Sequence, residues 1–399
     1  MSNLSVVQPA LLSKINERQV LRTIQARGPL SRAEVARHSG ISAPTASKAV
    51  ESLLKAGLLE EGDAETARGR PAKKLRLASE NAQVLGLVID ADQCRLVPAG
   101  LDGKIHERFL AEFPTPTTYE ALIEKAAFHA KRLIHRANIS TLGMAISIPG
   151  LIDYQQYRSL LSPNVPLTNQ HTPGQDLEQR LGIECILVQE THALCLAERH
   201  FGAARSLNDF AMMDATTGIG LGVMSGGRLL TGHSGLAGEI GHITVEMDGR
   251  LCGCGNHGCL ETAASDTAFV WRLSQRLGRK IHADEALLLL EQGDPAAAEA
   301  LQLTCRYLAV GLAAVINLFN PATLFIYNRL FAAEETLFSR LIEETRRRTL
   351  PPSFAQCHIV QARGSKRQGA VAAIIEHLTN AFVPELMTDS HPQPLQMKK

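Results

Sequence analysis

The spacing of apolar residues changes character near position 80 of the chain. Up to that point they recur at helical intervals, which predicts short amphipathic helices. From Gln83 onward, continuous apolar runs such as VLGLVID and LGMAISIPGLID alternate with amphipathic stretches. Buried strands of a largely parallel sheet produce runs of this kind. The pattern therefore predicts a small helical unit followed by a larger α/β body.

Three helices are predicted in the first unit. The segment LLSKINERQVLRTIQARG is amphipathic and ends at Gly28. The second helix has Ser31 as its N-cap, with Glu34 three residues later in a capping box, and it stops at Gly40. The third begins at Ser42 and repeats apolar residues along one face, namely Ala46, Val50, Leu53 and Leu54.

The tight HSGIS turn between the second and third helices is typical of a helix-turn-helix. The second helix of such a pair enters the major groove of DNA, with its first residues facing the base edges. Those residues are small or polar enough to approach closely: Ala43, Thr45, Ser47 and Lys48.

A basic loop follows the helices. Two short strands, Leu58–Glu61 and Leu75–Leu77, are predicted to flank a wing formed by Arg68–Lys74. Arg68 and Arg70 suit the minor groove, where negative potential attracts arginine. Taken alone, the helix pair could be a solvated basic helix, and the loop could be merely exposed. The helix-turn-helix followed by the basic loop predicts a winged helix-turn-helix that binds double-stranded DNA.

The charge distribution agrees with this division. Thirteen Lys and Arg residues stand against eight Asp and Glu residues between Leu11 and Glu80, although the net charge of the whole chain is only +1. The remainder is therefore acidic, and attraction to nucleic acid is confined to the first unit. Hydrophobic residues make up 45% of the chain, which is ample for a globular core.

We expect a cytoplasmic protein without membrane insertion. No apolar run reaches the roughly 18 residues of a membrane-spanning helix, and the N-terminus lacks the pattern of a secretion signal. Five of the eight cysteines are scattered among apolar residues, as reduced core cysteines are in the cytosol: Cys94, Cys185, Cys195, Cys305 and Cys357.

The other three cysteines stand close together. Cys252, Cys254 and Cys259 form a C-x-C-x4-C pattern, with His242 ten residues upstream of the first. One imidazole and three thiolates make four ligands, the number in a closed tetrahedral zinc site. Four protein ligands leave no position open for substrate, so we expect structural rather than catalytic Zn²⁺. A reduced cysteine cluster without metal is the alternative.

Several segments of the body resemble the ROK family of repressors, open reading frames and kinases: SIPGLID, LLSPNVPL, GLAGEIGHITVE, CGCGNHGCLET and INLFNP. With a helix-turn-helix in front, nearly the whole chain is similar to the repressor branch, which includes regulators of N-acetylglucosamine, glucose and xylose use. The resemblance implies a two-lobed, actin-like sugar-kinase body. We expect the DNA-binding unit at 1–80, a first lobe at 81–190 joined by a helix at about 364–382, and a second lobe with the cysteine motif at 191–363.

The resemblance also implies a sugar site. In the family a structural zinc braces the segment that carries sugar-contacting residues. Carboxylates and amides suit sugars because each hydroxyl both donates and accepts hydrogen bonds. The family's hydroxyl-binding positions correspond to Gln189, Glu190, Glu239, His242 and Glu261. Asn164, in the segment SPN, belongs either to the same cleft or to a turn. Glu261 alone would more often be a solvated surface charge.

The family's ATP motifs are altered. Without a gap, the D-x-G-G-T motif aligns with residues 88–92, so Val88 replaces its aspartate and Asp92 its threonine. Asp90 and Ala91 replace its glycine pair, and two carboxylates there oppose phosphate binding. The adenosine-side G-G-G is replaced by Tyr327, Asn328 and Arg329.

The remaining kinase elements are partly kept. The loop TTGIGLG retains Gly218, Gly220 and Gly222, although Leu221 departs from the family pattern, and a tight strand turn would also explain it. Glu190 replaces the catalytic aspartate and is one methylene longer, and general-base catalysis tolerates little misplacement. We therefore expect no kinase activity and no catalytic residue.

Together these features predict a sugar-responsive repressor. A sugar or sugar phosphate would close or rotate the lobes and change the spacing of two DNA-binding units in a homodimer or homotetramer. A sugar kinase with an appended DNA-binding domain is the alternative. A third possibility is a body that docks a protein partner and binds no sugar. The sequence names neither the sugar nor the operator, and it does not decide between repression and activation.

Overall fold

The computed structural model of the protein describes residues 9–62, 73–136, 139–330 and 335–380. Three helices and an antiparallel hairpin form the N-terminal unit, which we call the head: α1 (Pro9–Arg27), α2 (Arg32–Ser39), α3 (Ala43–Lys55), β1 (Leu59–Glu61) and β2 (Leu75–Leu77). Arg68 and Arg70, predicted for the tip of the hairpin, lie outside the described residues.

Local caps define the helices of the head. Ser31 and Glu34 form both hydrogen bonds of the predicted capping box. Gly40 ends α2 with a φ of 69°, a left-handed conformation that costs glycine little. Ser42 caps α3 by accepting from the backbone N–H of Thr45. These boundaries confirm the predicted helix-turn-helix.

The first lobe contains a five-stranded sheet of order β5-β4-β3-β6-β9 and a separate hairpin, β7-β8. The strands are β3 (Ala82–Ile89), β4 (Gln93–Ala99), β5 (Ala111–Pro114), β6 (Ser140–Ile148), β7 (Leu151–Asp153), β8 (Arg158–Leu161) and β9 (Cys185–Gln189). Helices on both faces bury this sheet, as the continuous apolar runs predict. They are α4 (Tyr119–Ile134) and α5 (Pro173–Leu181) on one face, with α6 (Glu190–His200) and α13 (Lys366–Asn380) on the other.

Helix α13 packs closely on the first lobe although the second lobe precedes it in the sequence. A Cβ added to Gly86 of β3 would lie 3.0 Å from the Ala370 Cβ of α13. A Cβ added to Gly369 would lie 2.9 Å from the backbone carbonyl carbon of Ala193 in α6. Glycine at both positions therefore permits the close approach of α13 to the sheet and to α6.

The second lobe contains a sheet of order β12-β11-β10-β13-β14. Its strands are β10 (Phe210–Asp214), β11 (Gly220–Ser225), β12 (Arg228–Leu229), β13 (Thr323–Tyr327) and β14 (His358–Gln361). Its helices are α7 (Leu260–Ala264), α8 (Asp266–Leu277), α9 (Ala283–Glu291), α10 (Pro295–Phe319), α11 (Glu335–Arg346) and α12 (Pro351–Ala355).

Both lobes share one topology. In each sheet the first strand pairs antiparallel with the second and parallel with the fourth: β3 with β4 and β6, and β10 with β11 and β13. Asp90 directly follows β3, and Asp214 ends β10. The two aspartates therefore stand at equivalent carboxyl ends, where α/β folds bind ligands.

Helix α10 is the one helix among the described residues whose length and composition would allow it to cross a membrane. Its side chains Leu308, Leu312, Val315 and Ile316 are all buried in the core of the second lobe. The apolar character of α10 is therefore explained by its position as a core helix.

Candidate functional site

The predicted metal ligands come together. The ligand atoms of His242, Cys252, Cys254 and Cys259 all lie within 4.8 Å of one another. The Cys254 and Cys259 Sγ atoms are 3.8 Å apart, and the Cys252 Sγ is 3.6 Å from the His242 Nδ1. A tetrahedral zinc ion would separate two sulfurs by about 3.8 Å and a sulfur from a nitrogen by about 3.6 Å. The cluster is a candidate metal site whose geometry fits zinc.

His242 connects this cluster to a neighbouring cleft. Its Nδ1 faces Cys252, while its Nε2 lies 3.7 Å from a carboxylate oxygen of Glu239. A metal bound at Nδ1 would leave the proton on Nε2, so the ring would present a donor to the cleft. A metal ion at this candidate site would thus fix both the position and the tautomer of a cleft residue.

The five residues predicted to contact sugar line one cavity between the lobes: Gln189, Glu190, Glu239, His242 and Glu261. Asn164 lines it too, which favours the cleft interpretation of that residue. Strand β9 and the start of α6 supply the first two residues, and the loop after β12 supplies Glu239 and His242. The sequence therefore located the members of one cleft.

Hydrogen bonds hold the cleft in shape. Gln189 donates to Glu239 over 3.0 Å, and Glu261 accepts from the backbone N–H of Ile219 over 3.0 Å. Burial raises the pKa of Glu239, an effect that His242 opposes. Two buried polar atoms of the lining, the Gln189 Oε1 and the Thr191 Oγ1, have no partner. Buried polar groups without partners are rare, and these two atoms are available to a polar ligand or to water.

A layer beneath the cleft was missed by the sequence analysis. The hydroxyl of Tyr154 accepts from the backbone N–H of Gln189 and bonds the Nδ1 of His192. His192 is fully buried, and burial lowers its pKa to about 4. It therefore stays neutral near pH 7 and orients the tyrosine that positions Gln189. Separate aromatic and histidine residues gave no motif that could have revealed this layer.

The second missed feature is Lys366, at the start of α13. Its Nζ lies 2.7 Å from Glu190, 3.4 Å from Asp90 and 3.7 Å from Asp214. Burial alone would lower the pKa of Lys366, but the three carboxylates raise it above its ordinary value. Burial raises the pKa of Glu190, against the opposing effect of the lysine. One cation therefore joins carboxylates of both lobes and is paired with Glu190.

Two residues that the sequence aligns with the family's adenosine-side glycines make internal bonds. Asn328 donates to the carbonyl of Ala215 and to Asp266, and Arg329 pairs with the same aspartate over 3.4 Å. Tyr327 and Lys366 line the adjoining cavity together with Asp90 and Asp92.

The glycines of TTGIGLG also have packing partners. A Cβ on Gly218 would lie 2.6 Å from the side chain of Glu261, and a Cβ on Gly220 would lie 2.6 Å from that of Thr191. A Cβ on Gly222 would lie 2.4 Å from the sulfur of Cys195. Close packing explains these glycines without a bound nucleotide.

The predicted base-reading residues all lie in the first half of α3. Ala43 and Lys48 are exposed, while Thr45 and Ser47 are half-buried. The hydroxyls of Thr45 and Ser42 lie 2.8 Å apart, so the threonine also belongs to the helix cap. The sequence analysis did not anticipate this second role.

One of the contacts between the head and the body is made by a histidine. The Nδ1 of His200, at the end of α6, bonds the side chain of Gln25 in α1. Its Nε2 lies 2.7 Å from Glu376 of α13. A polar chain therefore joins the head to the same two helices that carry Glu190 and Lys366.

Comparisons with known proteins match both parts of the chain. A family model described as the ROK family matches residues 84–377, and one described as the MarR family matches residues 14–69. The DNA-binding transcriptional dual regulator NagC of Escherichia coli K12 is 29% identical over 343 residues, which cover 82% of this chain and 83% of the relative.

Two solved structures extend the comparison. A ROK family transcriptional regulator, described as a homolog of the E. coli MLC protein, is 26% identical with a TM-score of 0.81, over 93% of this chain and 98% of that one. ROK hexokinase from Thermus thermophilus is 28% identical with a TM-score of 0.62, over 73% of this chain and 97% of that one. The predicted winged helix-turn-helix and actin-like kinase body are confirmed.

Proposed function

Because the chain belongs to the ROK family, we propose that it is a transcriptional repressor of carbohydrate-use genes, released from or shifted on DNA by a sugar effector. The observation that carries this proposal is a winged helix-turn-helix joined to a kinase-like cleft in which Glu190, aligned with the family's catalytic base, is paired with Lys366. The likeness to NagC and to the MLC homolog supports it, because both span the head and the body of this chain.

The effector is proposed to bind Gln189, Glu190, Glu239, His242 and Glu261. The shared cavity and the unpartnered Oε1 of Gln189 support this assignment. Structural Zn²⁺ at His242, Cys252, Cys254 and Cys259 would brace the loop that carries Glu239. The proposed boundaries are 1–80 for the head, 81–190 with the returning helix for the first lobe, and 191–363 for the second. Two separate five-stranded sheets support the two lobes, and α6, which packs against both, lies at their boundary.

We propose further that the body has no kinase activity. A general base must be free to accept a proton from the sugar hydroxyl, whereas Glu190 is paired with Lys366. Asp90 and Asp214 would repel the phosphates of ATP at the same point. The likeness to ROK hexokinase favours the alternative, a sugar kinase with an appended head. Sugar-dependent production of ADP by the full chain would establish that alternative.

A homodimer or homotetramer in the cytoplasm is the proposed form, because two heads are needed to read two half-sites. Exposed apolar side chains of the second lobe, Leu318 and Leu350, support contact between subunits. They are neighbours, since the backbone N–H of Leu350 donates to Asn317.

One experiment tests the proposal. DNA bound by the full chain would be selected from a random library, and its Kd measured with and without a panel of sugars. We expect a preferred sequence and at least one sugar that changes its Kd tenfold or more. Binding without sequence preference, or a preference that no sugar affects, would contradict the proposal.

A further inference from the structure

The cleft is strongly acidic. No lysine or arginine of the described residues lines it. Five carboxylate side chains do: Asp90, Glu190, Asp214, Glu239 and Glu261. Sugar hydroxyls are good partners for carboxylates because they donate hydrogen bonds. A phosphate group carries about −1.5 to −2 charges at pH 7, and the carboxylates of this lining would repel it.

Lys366 does not reverse this balance. It is the nearest cation, yet three carboxylates already surround its Nζ within 3.7 Å. If Glu190 is counted as neutral, Asp90 and Asp214 still leave the cluster with a net negative charge. The ammonium group is also largely enclosed, with 13% of the side chain exposed. A phosphate would have to displace a carboxylate to reach it.

Among the described residues, the adjoining cavity has no lysine or arginine without an acidic partner either. Three arginines line it, and each already pairs with a carboxylate: Arg95 with Glu112, Arg329 with Asp266, and Arg367 with Glu107. A sugar substituent that extended from the cleft into this cavity would pass Asp90, which lines both. An anionic substituent is therefore disfavoured along the whole path.

We propose that the cleft selects an uncharged sugar and rejects its phosphorylated form, and that Asp90 and Asp214 determine this specificity. The inference rests on the proposed sugar-binding function and narrows its ligand class. The net negative charge of this cluster, close to a phosphate, should weaken binding of the phosphorylated sugar by about 100-fold or more.

The test uses the full chain and matched pairs of ligands. Glucose and N-acetylglucosamine would be titrated calorimetrically beside their 6-phosphates, and xylose beside its 5-phosphate, at fixed ionic strength. We expect a measurable Kd for at least one neutral sugar and binding of its phosphate that is at least 100-fold weaker. In Asp90→Asn, and in the double variant with Asp214→Asn, the ratio of the two Kd values should fall at least tenfold.

Asp284→Asn is the matched control, because Asp284 is exposed in the first turn of α9. It should leave the ratio unchanged. If a phosphorylated sugar binds as tightly as its neutral form, or more tightly, this inference is wrong while the proposed sugar-sensing function stands. If neither the neutral sugars nor their phosphates bind, and none of them alters DNA affinity, this inference and the proposed sugar-sensing function are both overturned.

Discussion

Glu190 and His200 are the first and last residues of the same helix, α6. At one end Glu190 pairs with Lys366 in the cleft, and at the other end His200 bonds Glu376. Lys366 and Glu376 both belong to α13. His200 also bonds Gln25 of the head. The cleft between the lobes and the DNA-binding unit are therefore connected by two helices that are joined to each other at both ends.

This connection predicts that His200→Ala uncouples sugar from DNA. The variant should bind DNA and sugar nearly as the wild type does, because His200 lies in neither site. The factor by which sugar changes the DNA Kd should fall about tenfold, a loss of roughly 1.4 kcal/mol of coupling. Fluorescence anisotropy with labelled DNA measures this factor. His377→Ala, which removes a surface pair between α13 and Glu184, is the control. An unchanged factor in His200→Ala would refute this route.

Metal analysis should find about one zinc ion per chain, with Cys254→Ser losing it. Because the metal holds the loop that carries Glu239, the variant should also lose thermal stability and response to sugar. Cys357→Ala removes a buried thiol outside the cluster and should retain the metal. Freshly purified protein without zinc would show that the cysteines serve another purpose.

Two groups of residues in the head should affect DNA binding differently. Replacing both Arg68 and Arg70 should weaken binding and reduce the salt dependence, by about 0.9 in slope for each lost phosphate contact. Ser47→Ala should instead change which sequence is preferred. For Thr45 we expect both a change in preference and a less stable α3, because its hydroxyl contacts the cap at Ser42. Unchanged binding of the double arginine variant at every salt concentration would remove the wing from the interface.

The sugar site should be separable from DNA binding. At about 100 times its Kd, an effector should stabilise the wild type by about 2.7 kcal/mol. Glu239→Ala or Glu261→Ala should abolish this shift and retain DNA affinity, giving a regulator that no longer responds to sugar. Glu291→Ala, an exposed carboxylate of α9, should behave as the wild type. Denaturation with and without sugar measures the shift, and a full shift in Glu239→Ala would argue against this cleft.

Acid should destabilise the layer beneath the cleft. The pKa of His192 is about 4 in the folded chain and near 6.5 when unfolded, so the unfolded state binds the extra proton between these values. The stability that the neutral ring provides is thus complete above pH 6.5 and lost as the pH falls toward 4, by up to about 3 kcal/mol. His192→Gln cannot titrate there. Urea unfolding measures this at a series of pH values: the free energies of unfolding of wild type and variant should converge or cross at low pH. If the two curves of free energy against pH run parallel, His192 is not the buried neutral group that we infer.

Features carried by neighbouring residues could be predicted from the sequence. Ser31 and Glu34 form a capping box across one turn, and the three cysteines of the candidate metal site lie within one loop. Short spacings constrain geometry directly, so the pattern of residue types was sufficient.

Contacts between distant segments could not be predicted in this way. Lys366 lies in SKRQGA, where a lysine has the appearance of a surface charge, and its three partners come from both lobes. His200 and Glu376 are likewise 176 positions apart. Only the packing of α13 against α6, which depends on small residues such as Gly369, brings these pairs together.

The position of α13 also constrains the order of assembly during synthesis. It covers β3 of the first lobe, yet the ribosome must translate the whole second lobe between them. At about 5–20 residues per second, Gly86 and its neighbours stay uncovered for roughly 10 to 60 seconds. The head is translated long before that. A nascent chain can therefore fold its DNA-binding unit early, but it acquires the lysine of its cleft and the partner of His200 only when α13 emerges.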